Sequence, residues 1–357
     1  MKEIPKGMRD LSVSECLKKD ALKKRLEKVY RSYGYSPIET PLIEYYDTYA
    51  STFTTLKEAQ MYRFLDDDGQ VLALRTDMTL PIARLVATKY IRSNPPFRFR
   101  YCANVYKVRQ KFAGKQNEAT DCGIECIGVK EQGDIEVLMC AMDALEALEA
   151  GPYTLEIGDP RLFRKAALLA CLTEEQIAHL ADLTDRKSMP ALYEYLASLD
   201  LDRAQRTFFA KLPLCSGKTA LEEMKQYCFD DSLAELLKSL EELNSTLQAL
   251  GYEHIGFDLG KIPHLDYYTG IIFEGYVESV GTSVLSGGRY DSLLKKLGRD
   301  LPACGFGIKL DALLERLPEE TVNPVSLRIG ENRIEALKKA KEMRQTQDVV
   351  LVYEEDV

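Results

Sequence analysis

Apolar and polar positions repeat with two different periods along this chain, and the change of period divides it. From Ser12 to Gly34, Leu17, Leu22, Leu26, Val29 and Tyr30 recur at helical spacing, with Ser12-x-x-Glu15 in the form of a capping box and Gly34 as the stop. One amphipathic helix is predicted there. The next segment, Tyr35-Ser-Pro-Ile-Glu-Thr-Pro-Leu-Ile-Glu44, carries two prolines among extended-chain residues, which suits an edge strand and makes that edge a candidate dimer interface. Between Met61 and Gly128 the text breaks into short runs: Tyr62–Leu65, Val71–Leu74, Phe97–Tyr101, Ala103–Lys107 and Gly123–Ile127. Asp66-Asp-Asp-Gly69 supplies a hairpin turn and Lys111–Lys115 a loop, so a predominantly antiparallel sheet is expected. Asp134 to Ala150 returns to helical spacing, and Tyr153–Ile157 to a strand.

From about Pro160 to Leu250 the chain becomes rich in leucine and alanine at helical spacing, without strand signals, and ends in heptad-like leucines from Leu233 to Leu250. This reads as an all-helical insertion. The sheet resumes at Ile255–Leu259 and Thr269–Glu274, and Ser286-Gly-Gly-Arg289 reads as a glycine turn into a closing helix. Beyond Pro324 the pattern gives one helix, with Ile334, Leu337 and Met343 on a face, and one strand, Val349–Tyr353. That is too little to bury a core, so the tail either docks on the main body or begins a truncated α/β domain. The expected division is a core of 1–159 and 251–323, a helical insertion at 160–250, and a helix-strand segment at 324–357. The fold class is α+β.

With 357 residues and 45% apolar content, the chain can bury at least one large core. No apolar run approaches the roughly 18 residues of a membrane span, and the amino end lacks the centre of a signal peptide, so a cytoplasmic protein with no membrane partner is expected. Nine cysteines stand singly in the sequence, an odd count that predicts reduced thiols rather than a disulfide framework. Cys122 and Cys126 are four apart, but no second pair lies at zinc-ligand spacing, so no metal is expected. A net charge of −9 argues against binding tRNA or another nucleic-acid backbone over a broad surface.

Four segments could carry chemistry. In Leu74-Arg-Thr-Asp-Met-Thr79, Asp77 and Thr79 would share one face of a strand and could hold an ammonium, although local sequence alone favours a turn-capping Asp beside a surface Thr. Glu125 sits in the apolar strand Gly123–Ile127, where an unpaired charge is costly, so it needs a salt-bridge partner or a ligand. In Gly260–Gly270, Tyr267 and Tyr268 open a strand, which sends one hydroxyl to each side, and the lone His264 reads as structural. Ser286–Asp291 is a glycine turn followed by a charged pair, by itself a weak signal.

Taken in order, these segments resemble the catalytic core of histidyl-tRNA synthetase, a class II synthetase fold of antiparallel sheet flanked by helices. Lys6-Gly-Met-Arg-Asp10 is similar to the family's opening, and Tyr33–Pro41 to its dimer-forming first motif. Leu265-Asp-Tyr-Tyr-Thr269 is similar to its histidine-specific motif, and Ser286–Asp291 with Pro302–Gly307 to the approach to its third. The resemblance implies that Asp77 and Thr79 hold an α-amino group and that Glu125 and Tyr268, with Tyr267 adjacent, hold an imidazole. Asp121 stands beside the amino group in place of a family glutamine. The family's catalytic arginines do not carry over. Lys107 replaces the arginine on the ATP α-phosphate, Arg109 replaces a glutamate near the adenine, Pro263 replaces the arginine of the histidine-specific motif, and Ala312 replaces that of the third motif.

A synthetase fold without those arginines resembles the regulatory subunits of ATP phosphoribosyltransferase, the first enzyme of histidine biosynthesis. That resemblance implies no catalytic residues and no cofactor, a homodimer within a hetero-octamer, a short-form catalytic subunit as partner and histidine as effector. Two other readings stand beside it: a divergent, active histidyl-tRNA synthetase, and a synthetase paralogue serving as an RNA- or protein-binding scaffold.

Overall fold

The computed structural model describes residues 3–52, 58–109, 116–262, 268–278, 280–318, 324–329 and 332–353. In chain order the first elements are α1 (Val13–Ser32), β1 (Ser36–Pro37), β2 (Ile43–Tyr45), α2 (Tyr46–Ala50), β3 (Arg63–Leu65), β4 (Val71–Leu74), α3 (Thr79–Thr88), β5 (Phe97–Tyr106), β6 (Glu118–Ile127), α4 (Gly133–Ala147) and β7 (Tyr153–Gly158). A run of helices follows: α5 (Pro160–Leu169), α6 (Glu174–Asp185), α7 (Met189–Ser198), α8 (Arg203–Lys211), then the short strand β8 (Ser216–Gly217), α9 (Ala220–Lys225) and α10 (Asp231–Ala249). The chain continues through β9 (Ile255–Asp258), β10 (Ile272–Val277), β11 (Leu285–Arg289), α11 (Asp291–Lys296), β12 (Ala303–Lys309), β13 (Val325–Arg328), α12 (Arg333–Met343) and β14 (Val349–Val352).

Two compact units result, one made of 1–10 and 19–317 and the other of 11–18 and 318–357. The larger unit is built on a sheet in the order β1-β5-β6-β12-β11-β10-β7-β9-β8, in which only the β1–β5 and β7–β9 pairings are parallel. β1 lies at the edge, where Pro37, lacking an N–H, does no harm. A three-stranded sheet, β2-β4-β3, stands beside it. Helices cover both faces of the main sheet. On one face Tyr30 of α1 meets the Phe306 ring edge-on at 5.9 Å and donates to the Cys122 carbonyl, with α4 packed alongside. On the other, Leu80, Ile82 and Val86 of α3 and Leu293 and Leu294 of α11 close over Phe97, Phe99 and Tyr101 of β5.

Several expectations needed correction. The two runs Phe97–Tyr101 and Ala103–Lys107 form one ten-residue strand, because exposed Cys102 continues the alternation instead of breaking it. The helical run also contains β8, which pairs with β9 at the sheet's far edge. Cys102 and Cys122, expected to be free thiols, form a disulfide: the β5–β6 register sets them directly opposite with Cα atoms 4.0 Å apart, a proximity that their spacing in sequence does not reveal. In the smaller unit the expected helix and final strand are preceded by β13, which pairs in parallel with β14 across α12. Among the described residues no helix is long and apolar enough to cross a membrane.

Candidate functional site

The period-two geometry of the central strands lays out one row of functional groups. Asp121, Gly123 and Glu125 of β6 share a face. Asp121 lies opposite Ala103 and Lys309, Gly123 opposite Tyr101 and Gly307, and Glu125 opposite Phe99 and Gly305. Space above the row exists because its β12 neighbours lack side chains: a Cβ at Gly305 would stand 2.0 Å from Glu125 Oε2, and one at Gly307 would stand 2.3 Å from Asp121 Oδ1. Gly288 on β11 does the same for Tyr268, whose ring would lie 2.7 Å from an added Cβ. The result is a cavity of about 90 Å³ lined by Asp77, Thr79, Tyr101, Asp121, Tyr268 and Tyr290 with the backbone of the β11 and β12 glycines. Ser286–Arg289 is therefore a strand inside the sheet, not a turn, and its glycines serve close approach across the ladder.

Asp77 and Thr79 do not lie on a strand, as the spacing suggested, because β4 ends at Leu74. Asp77 accepts the Leu80 N–H at 2.9 Å in the first turn of α3, where Pro81 is also tolerated, so a helix start replaces the strand. Asp77 is thus a capping group and a cavity wall at once. Thr79 opens the helix and donates its hydroxyl to Glu125 Oε1 at 2.7 Å. Tyr268 precedes β10 in a segment fastened to β11 by the Thr269 N–H, which donates to the Arg289 carbonyl at 2.8 Å. Pro263, His264 and Tyr267 lie outside the described residues.

Two hydroxyls, rather than a cation, hold Glu125: that of Thr79 and that of Tyr290, which makes a very short contact to Oε2. Burial pushes the Glu125 carboxyl up to about 8, against the opposing pull of these two hydrogen bonds. Burial also pushes Asp121 up to about 6, while the charge of Lys309 works in the other direction. Asp121 Oδ1 is buried without a hydrogen-bond partner, and it faces the space that Gly307 leaves open. Asp77 is raised by burial as well. Two acids lining one small cavity, Asp77 and Asp121, a third buried behind the lining Thr79 and Tyr290, and one oxygen unsatisfied suit a ligand that brings donors.

Of the positions where the family's ATP-site residues do not carry over, Lys107, Arg109 and Ala312 are described, and none of them lines the cavity. Lys107 follows β5 directly, its N–H bonded to the Asn117 carbonyl at 2.7 Å, and the Arg109 N–H is bonded to Asn117 Oδ1 at 2.9 Å. Burial holds the Lys107 ammonium below its ordinary range, reinforced by the charges of Arg109 and Lys309 and opposed by Asp77. Burial lowers Arg109 too, and its Nε is buried without a partner. Ala312 is exposed at the end of the 3-10 turn Leu310–Ala312. Arg289, the cation of the glycine segment, is structural: it is 1% exposed and held by Asp134, Asp291 and the Val129 and Lys130 carbonyls. Tyr101, Tyr290 and Lys309 were missed in the sequence, although each stands an even number of residues from another member of its strand's functional face or directly follows one.

Comparison with known proteins places this arrangement. The family model described as Histidyl-tRNA synthetase matches residues 7–313. The ATP phosphoribosyltransferase regulatory subunit of Bacillus thuringiensis subsp. konkukian is 34% identical over 321 residues, 88% of this chain and 76% of that protein. A crystal structure of an ATP phosphoribosyltransferase regulatory subunit/histidyl-tRNA synthetase from Bacillus halodurans superposes with a TM-score of 0.89 at 32% identity, over 100% of this chain and 94% of that one. A histidine–tRNA ligase subunit from Alicyclobacillus acidocaldarius gives a TM-score of 0.71 at 25% identity, over 88% and 97% of the two chains.

Proposed function

Since the chain belongs to the histidyl-tRNA synthetase family, among relatives that are ATP phosphoribosyltransferase regulatory subunits, we propose that it activates a short-form catalytic subunit and carries the histidine signal that inhibits it. The observation that supports this best is the Glu125 clamp. A buried carboxyl group near pKa 8, fixed by the hydroxyls of two residues that line the cavity, matches an imidazole, whose ordinary pKa is about 6.5. Over the neutral range the two can share one proton in a charge-assisted hydrogen bond. Asp77 and Asp121 at the other end suit the α-ammonium of the same ligand, with Tyr268 against the ring.

Adenylate formation by this chain is judged lost. Stabilising charge on a transferring phosphoryl group calls for cations fixed in place beforehand. Lys107 offers a point charge in place of a guanidinium fork, and Ala312 offers nothing. Within the proposed assembly the chain dimerises through the β1 edge and joins the catalytic subunit in a hetero-octamer, free of cofactor and of tRNA.

The test is phosphoribosyl transfer from phosphoribosyl pyrophosphate to ATP by a short-form catalytic subunit, with and without this protein, then with histidine added. Activation that histidine reverses is expected. No activation, together with histidine-dependent ATP–pyrophosphate exchange by this chain alone, would return the protein to the synthetases.

A further inference from the structure

The ligand reading leaves a carboxylate to be placed, and the position where the family carries an arginine for it is Pro263, which has no charge. The cations nearest the acids of this cavity stand elsewhere. Lys309 ends β12 two residues beyond Gly307 and four beyond Gly305, so alternation turns it to the same face as the two glycines that open the cavity. Register sets it directly across from Asp121. Lys107 approaches the same end of the row from β5, close enough that the charges of Arg109, Asp77 and Lys309 act on it. Glu125 thus lies at one end of the row and Asp121 at the other, level with Lys309, with Lys107 beyond it.

This crowding is costly as it stands. Like charges oppose one another in partly desolvated surroundings, and the Arg109 Nε–H is buried without an acceptor. An anion placed among the three cations would be stabilised by each of them, against the repulsion of Asp77. Were Lys309 present only as a counter-charge for Asp121, that carboxylate would have no need of the space beside it, yet Oδ1 faces that space without a partner.

We propose that Lys309, with Lys107, forms the subsite for the carboxylate of an α-amino acid bound in this cavity, the ammonium of the same ligand lying between them and the acids Asp77 and Asp121. This rests on the amino-acid reading of the cavity and moves the carboxylate partner from the histidine-specific segment to the end of β12. Lys309 is a binding residue with no part in any bond-making step.

Calorimetric titration of the full chain with histidine and with histidinol, in which an alcohol replaces the carboxylate, tests the subsite. The unaltered protein should prefer histidine by roughly ten- to a hundredfold, the usual worth of a hydrogen bond to a charged group. Lys309→Met should erase that preference by weakening histidine alone, with histidinol changed by no more than about twofold, and Lys309→Arg should restore most of it. Lys107→Met should act in the same sense. Equal weakening of both ligands by Lys309→Met, or of neither, would overturn the subsite while leaving the cavity's amino-acid reading intact. Binding of neither ligand by the unaltered protein would overturn that reading, and the subsite with it. Thermal melts of each variant, expected within a few degrees of the parent, separate a misfolded chain from a lost contact.

Discussion

Glu125 was visible in the sequence because a carboxylate interrupts an apolar run, but its partners were not, since Thr79 and Tyr290 reach it from α3 and from the end of β11. Asp121, too, was named only through the resemblance, because nothing local tells which polar residue of β6 faces inward. The raised pKa values make a stability prediction whose sign can be worked out. A carboxyl that titrates at about 8 in the folded chain and about 4.5 in the unfolded one keeps its proton longer when folded. Its contribution is therefore fully present below about pH 4.5 and is lost as pH rises toward 8, and Asp121 adds the same sense of change between about 3.8 and 6. Melting temperature should fall from pH 5 to pH 8, and Glu125→Gln should flatten the upper part of that fall; an unaltered slope in the variant would show that Glu125 is not the titrating group. Gly305→Ala addresses the same atoms sterically. Its Cβ would meet Glu125 Oε2 and the Ile124 carbonyl, which lies 2.4 Å away, so relaxation requires the backbone to move. A loss of about 1–3 kcal/mol in urea denaturation is expected from such overpacking, and wild-type stability would mean that the ladder yields easily.

Elements were legible where one period ran long enough. α1 spans nearly the segment predicted, and its capping box forms as written, with the Ser12 N–H donating to Glu15 Oε2 at 2.8 Å and the Glu15 N–H to Ser12 Oγ. β11 was misread because Gly-Gly signals a turn in local chemistry, whereas here the signal came from the neighbouring strands: β12 and Tyr268 require the missing side chains. The start of the helical run offers a separate test. Asp159, 1% exposed, accepts the Arg161 N–H at 3.0 Å as the cap of α5, with Pro160 in the first turn, and also receives the Arg161 guanidinium. Removing an N-cap carboxylate typically costs about 1 kcal/mol and up to about 2, and here it also leaves the guanidinium with one acid fewer. Asp159→Ala should lower the urea midpoint by a corresponding amount with an unchanged m-value. A stability change under about 0.3 kcal/mol would mean that Arg161 and water replace the cap.

At the scale of the whole molecule the sheet order explains what sequence reading could not reach. β6 and β12 are neighbours although some 180 residues of chain, including every helix from α5 to α10, run between them. The cavity is assembled from six separate stretches of chain, so its existence depends on long-range register, while its chemistry depends on residues that look ordinary in their own surroundings. A ligand that binds such a site only when all the stretches are in place must stabilise the folded state by RT ln(1 + [L]/Kd), about 2.7 kcal/mol at a hundredfold excess over Kd. Histidine should therefore raise the melting temperature of the chain alone in proportion to the logarithm of its concentration, and an amino acid without an imidazole should not. If histidine also inhibits the partnered complex through this cavity, linkage demands more. The factor by which histidine weakens the catalytic partner's hold on its substrates must equal the factor by which those substrates weaken histidine at this site. Titrating histidine into the complex with and without phosphoribosyl pyrophosphate, and the converse, yields both factors. Equality within error is the expected result. A histidine affinity indifferent to the partner's substrates, in a complex that histidine still inhibits, would place the inhibitory site somewhere other than this cavity.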